Sequence, residues 1–239
     1  MISATDIASD IQNIATSGSN NIEFRIETMQ LLFWINEVRA QLIAQSLNRR
    51  DDINDTWLQT INCLEMEQVD SAECCTVTSG CYILRSKKQL PSTIDSYKDN
   101  WIVSVTTPLG DIIPKQNVFK ARYQKYNTFT ANKPGWYLKN DYLYVTNNQL
   151  LKYVNVTALF SDPSDLENFV NCEDQACFTM DGPYPVSFNQ AKQITDIVLQ
   201  TRVYPFLSFG QDKKNDADDN TITTGKLPNM VNNPTSNEQ

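Results

Sequence analysis

The chain has 239 residues, enough to bury a core without covalent staples, and its 41% apolar and 10% aromatic content is that of a globular protein. It contains no histidine, which removes imidazole general bases, serine and cysteine triads and nearly every zinc site not built from thiolates. Net charge is −8, yet Arg85 to Lys152 holds eleven Lys/Arg against four Asp/Glu, so a basic middle lies between acidic ends.

The first twenty residues lack both a basic start and a continuous apolar stretch, so no secretory signal is expected. No apolar run approaches the roughly 18–20 residues of a membrane span, and no membrane association is expected. A soluble protein made in a reducing cytoplasm need not pair its six cysteines.

In chain order, Ile7, Ile11 and Ile14 have helical spacing, and Ser3 and Asp6 form a candidate capping box ahead of them. SGSNN (17–21) punctuates. The strongest helix signal is IETMQLLFWINEVRAQLIAQSLNRR (26–50). Leu31, Ile35, Val38 and Leu42 make one stripe, and Leu32, Phe33, Trp34, Ala40, Ile43 and Leu47 widen it almost all round. Such a helix must bury two faces, within the chain or against another subunit. About 25 residues would span nearly 38 Å.

After Trp57 the texture becomes β-branched and aromatic. CLEMEQVDSAECC, TVTSGCYILRS, WIVSVTTP and VFKARYQKY are strand candidates separated by turn residues. In GWYLKNDYLYVTNNQLLKYVNVTALF, the Lys139-Asn140-Asp141 and Asn147-Asn148 turns predict an antiparallel meander of three strands. SDPSDLENFV opens a helix with Asp162 as cap and Pro163 at its first position. CEDQACFTMDGPYP is a loop. A last helix, from Ser187 to Tyr204, has a Ser187–Gln190 capping box, and Pro205 should stop or kink it. From Gln211 the chain is polar and charged, either a solvated tail or an arm whose Leu227, Met230 and Val231 grip a neighbour.

Little here carries chemistry. Cys63, Cys74, Cys75, Cys81, Cys172 and Cys177 do not form two CxxC knuckles, so free thiols are favoured over zinc or disulfides. The acidic clusters sit in polar stretches, and no P-loop, GxGxxG, GxSxG or HExxH is present. Trp136, Tyr137, Tyr142, Tyr144 and Tyr153 could stack on sugars or bases, although a cross-strand ladder explains them more simply. The basic middle fits nucleic-acid contact, complementary patches on neighbouring subunits, or a solvated lysine-rich β-surface.

WINEVRAQLIAQSL, DINDTWLQTINCLEMEQVDSAECC, SGCYILRSKKQLP, YLKNDYLYV and LLKYVNVTALFSDP, in this order, resemble the ring or head-to-tail connector proteins of crAss-like phages, over about residues 22–210. The resemblance implies a virion structural protein, a homo-oligomeric and dodecameric ring below the portal. It also implies adjacent ring or tail proteins as partners, packaged DNA passing non-specifically, and assembly in the bacterial host cytoplasm.

The expected fold is therefore α+β. A helical ring-forming part (22–56 and 161–210) would follow an N-terminal segment (1–21) and carry an inserted antiparallel β-domain (57–160). An extended C-terminal arm (211–239) would follow. Candidate interface residues are Leu31, Trp34, Ile35 and Val38 on the long helix, with Leu227, Met230 and Val231 on the arm. No cofactor, metal or catalytic residue is expected. The alternative is a β-rich phage module that binds carbohydrate or a host receptor through Tyr142 and Tyr144.

Overall fold

A computed structural model describes residues 2–16, 26–70, 82–96, 100–121, 128–129, 133–148 and 150–208. Helix α1 (Ala4–Ala15) begins where the sequence predicts. The Ser3 hydroxyl accepts from the Asp6 amide, and the Asp6 carboxylate accepts from the Ser3 amide, each at 3.0 Å. The Ser3 amide, aided by the Ser3 side chain, holds the Asp6 carboxyl below its usual value. Ile7 and Ile11 are buried, whereas Ile14 is half exposed.

Helix α2 (Thr28–Asn48) has 21 residues, about 32 Å, and starts without a side-chain cap at Glu27. It packs against α1 and against α4 (Phe188–Val198), whose Ser187–Gln190 capping box forms as expected. The chain does not stop at Pro205. A π-helical turn, Leu199–Val203, widens the backbone before α5 (Tyr204–Ser208). Proline has no amide hydrogen and its ring collides with the carbonyl four residues earlier, so a wider turn here removes the clash without ending the helix. Between β-domain and α4, Asp162 caps a 3-10 helix (Pro163–Asn168) through the Ser164 amide at 2.8 Å.

Among the described residues the β-domain has seven strands: β1 (Gln59–Asp70), β2 (Tyr82–Ser86), β3 (Ile102–Thr106), β4 (Ile112–Ile113), β5 (Gly135–Lys139), β6 (Tyr142–Thr146) and β7 (Tyr153–Ala158). All pairs are antiparallel, in the order β4-β3-β7-β1-β2-β6-β5. The two ends meet. Lys115 bridges Trp136 in parallel, the Gln116 amide donates to the Trp136 carbonyl (2.7 Å), and the Trp136 amide donates to Pro114 (3.0 Å). The sheet is thereby rolled into a near-barrel with little free edge.

The 12-residue β1 makes this possible by pairing with β7 along its first half and β2 along its second. Its inward residues, Ile61 and Leu64, are three apart and thus out of phase for a regular strand. A bulge between them takes up the extra residue, with Cys63 at φ +56°. The Cys63 amide, lost to the ladder, donates to Asn155 Oδ1 at 2.9 Å. Barrel residues such as Val105, Ile113, Trp136, Leu143, Val154 and Val156 share one continuous core with Ile7, Leu31, Ile35 and Val38 of the helices.

The α+β architecture with an inserted antiparallel β-domain is as expected, but three local expectations change. The Asn140-Asp141 turn forms with both residues at positive φ, yet β7 leaves β6 and inserts between β1 and β3, so the predicted meander does not exist. Alternation marks a strand but not its partner. Val118–Ala121 is a short helical turn (α3) in place of the start of a strand. Cys63 and Cys172 form a disulfide in this structure, with Cα atoms 5.2 Å apart, where free thiols were expected. They are 109 residues apart, and no local pattern reveals that meeting. Cys74, Cys75 and Cys81 lie outside the described residues.

At the closing seam, Gly135 lies directly beneath the Gln116 side chain, which also accepts from Thr146 Oγ1 at 3.2 Å. Any Cβ at 135 would overlap the Gln116 carboxamide. Gly135→Val should lower stability by about 1–3 kcal/mol in urea unfolding, and adding Gln116→Ala should recover most of that loss.

Candidate functional site on the helical layer

What holds α2 in place is polar. Arg39 is 0% exposed. Its Nε donates to the Pro185 carbonyl (3.1 Å), Nη1 to Phe160 (2.9 Å) and Nη2 to Trp57 (3.3 Å). The rigid guanidinium fork thus ties α2 to the end of the barrel, to the entry of β1 and to the approach to α4. One turn earlier, Asn36 Nδ2 donates to Asp162 Oδ1 at 2.8 Å, while Asn36 Oδ1 accepts from the Tyr184 hydroxyl at 2.6 Å. Burial weakens the protonated state of Arg39, and nearby Tyr184 and Asp162 oppose that effect. Burial likewise pushes the Tyr184 phenol well above its ordinary value. Trp57 Nε1 donates to Gln190 Oε1 at 2.6 Å, joining the same region to the α4 cap.

With its inner face pinned, α2 turns a second face outward. Met29 is 64% and Phe33 60% exposed, one turn apart. Glu37 continues the line and pairs with Arg202 of the π turn at 2.8 Å. One turn beyond Arg202, Phe206 is half exposed and meets the edge of Trp34, ring centroids 6.4 Å apart. The result is an apolar strip along α2 and α5, interrupted by one half-buried ion pair.

The predicted interface residues separate on this geometry. Leu31 and Ile35 are 0% exposed and Val38 3%, all within the chain's own core, so in this fold they present no surface to a neighbour. Eight of the helix's 21 residues are buried within the chain, which accounts for one broad apolar face. Trp34 is half-buried beside Phe206 and borders the strip. Leu227, Met230 and Val231 lie outside the described residues. Met29 and Phe206 were missed because an exposed apolar residue cannot be told from a buried one without the fold; Phe33 was seen only as part of a broad stripe.

Of the five aromatics considered for a sugar platform, four are buried, stacked or covered, while Tyr153 is 44% exposed. Trp136 and Tyr144 are buried, Tyr137 stacks on Tyr144 at 5.2 Å, and Arg85 covers Tyr142 at 4.5 Å. Nor is the basic middle a free patch throughout. Arg85 pairs with Glu67 and Lys87 with Glu65, because β1 and β2 are neighbours. Among the described residues, no group of three His, Cys, Asp or Glu could hold a metal ion, and no helix is long and apolar enough to cross a membrane.

A family model described as phage tail ring protein 2, of the crAss-like type, matches residues 6–221. The chain belongs to that family. No curated protein matches it significantly. The match takes in both the helical layer and the barrel, and ends before Leu227. The ring protein is accordingly a virion structural component of the phage tail, with a head-to-tail connector role, and its outward apolar strip belongs to a molecule that works in contact with others.

Arg39→Ala in the ring protein would orphan three buried carbonyls, and urea unfolding should show a loss of about 4 kcal/mol. Arg39→Lys should recover less than half of it, since a single ammonium cannot reach all three acceptors.

Proposed function

We propose that copies of the ring protein close into a dodecameric ring through the outer strip of the helical layer. This ring would sit in the virion neck below the portal, against adjacent ring or tail proteins, having assembled in the host cytoplasm. The observation that carries the proposal is the exposed run of Met29, Phe33 and Phe206 on a chain whose family is described as a phage tail ring protein. An isolated copy leaves these side chains in water, and burying each one fully contributes about 1.5–3 kcal/mol. The Glu37–Arg202 pair gives the contact a polar register mark.

The C-terminal arm, with Leu227, Met230 and Val231, is assigned to the neighbouring copy. Packaged DNA would pass through the centre without specific contact. A chain of net charge −8 repels phosphate wherever its acidic portions face the channel. No catalytic step is proposed, in keeping with a sequence that lacks histidine and every common catalytic motif.

Light scattering on the purified full-length protein should give a ring-sized mass. Met29→Asp/Phe33→Asp/Phe206→Asp should shift it to single copies while the circular dichroism spectrum stays unchanged. Removal of residues 211–239 should weaken the ring less severely. A wild-type protein that remains monomeric at high concentration, or a triple variant that still forms rings, would overturn the proposal.

A further inference from the structure

Among the described residues, the three cysteines gather at the β1 bulge. Cys63 occupies the bulge itself, and Cys172 opens a small hairpin, closed by the Val170–Ala176 bridge and by the Asn171 amide donating to Gln175 at 2.7 Å. At its far end the Cys177 amide donates to Phe169 at 2.8 Å, and the Cys177 thiol accepts from the Asn62 amide. Cys63 is half-buried, Cys172 is exposed, and a cleft of about 130 Å³ lined by Ile61, Glu65, Lys88, Phe169 and Val170 opens onto Cys63. A small molecule can therefore reach this pair, unlike most cysteines placed in a core.

We infer that Cys63 and Cys172 form an oxidative modification site: two thiols while the ring is assembled inside a reducing cell, and one disulfide after the particle meets low-molecular-weight disulfides outside it. The reaction balances with a small disulfide RSSR as the oxidant. The exposed Cys172 thiolate attacks RSSR, forming a mixed disulfide and releasing one thiol RSH. Cys63 then displaces the second RSH, so two electrons and two protons leave the protein with the two RSH molecules. Cys177 does not compete well. Burial raises its thiol pKa, against the pull of the Asn62 amide, so little thiolate is present at neutral pH.

The bond ties the hairpin that precedes α4 to the strand that carries both halves of the barrel. It spans 109 residues, a long loop whose closure in the unfolded chain is costly. A rise in melting temperature of about 10 °C should follow from oxidation. The bond lies within one chain, so it hardens each subunit after assembly rather than linking neighbours.

The test uses the full-length protein, reduced, freed of reductant under nitrogen, and then given oxidised glutathione. Peptide mapping after alkylation should recover a Cys63–Cys172 link, with the melting temperature raised by about 10 °C and restored by dithiothreitol. Cys177→Ser should behave as wild type, and Cys172→Ser, at the exposed end, should lose both link and shift. The inference fails if Cys63 and Cys172 remain fully open to alkylation after oxidation. It also fails if the shift persists in Cys172→Ser. Should Cys172→Ser not fold, the mapping on wild type decides alone.

Discussion

A single buried guanidinium organises the molecule. Arg39 reaches three carbonyls that come from remote parts of the chain, at Trp57, Phe160 and Pro185. These are the points where the chain enters the barrel, leaves it and approaches the last helices. A neutral hydrophobic contact could hold α2 near the barrel, but it could not specify one rotation of the helix about its axis. Five fixed donors in a plane can, since each unmet carbonyl in a dry interior carries a penalty of about 1–3 kcal/mol. The choice of rotation decides which side of α2 is core and which side faces out.

The same logic of satisfied backbone groups shapes the β-domain. A flat sheet of these strands would leave two edges open, an invitation to uncontrolled pairing between molecules. The bridge between Lys115 and Trp136 joins those edges, and Gly135 gives Gln116 room to cross the seam. The bulge at Cys63 restores the inward phase of β1 as it passes from one half to the other.

The two parts of the tail ring protein present different surfaces. The barrel buries Trp136 and Tyr144, leaves Phe119 and Phe129 exposed, and cancels part of its basic charge through Glu65 and Glu67. The helical layer keeps an apolar strip outside.

Much was legible locally. Both capping boxes, the Asp162 cap, the Asn140-Asp141 turn and the existence of α2 depend on neighbours within a few residues, and each formed as the sequence indicated. The family was legible too, because whole phrases of the chain carry it. Only tertiary structure settled that β7 lies between β1 and β3, that Cys63 meets Cys172, and that Leu31, Ile35 and Val38 face inward while Met29 and Phe33 face out. Hydrophobicity states that a side chain prefers to be buried. It does not state against what, because the partner surface comes from residues scores of positions away and exists only once the chain has folded.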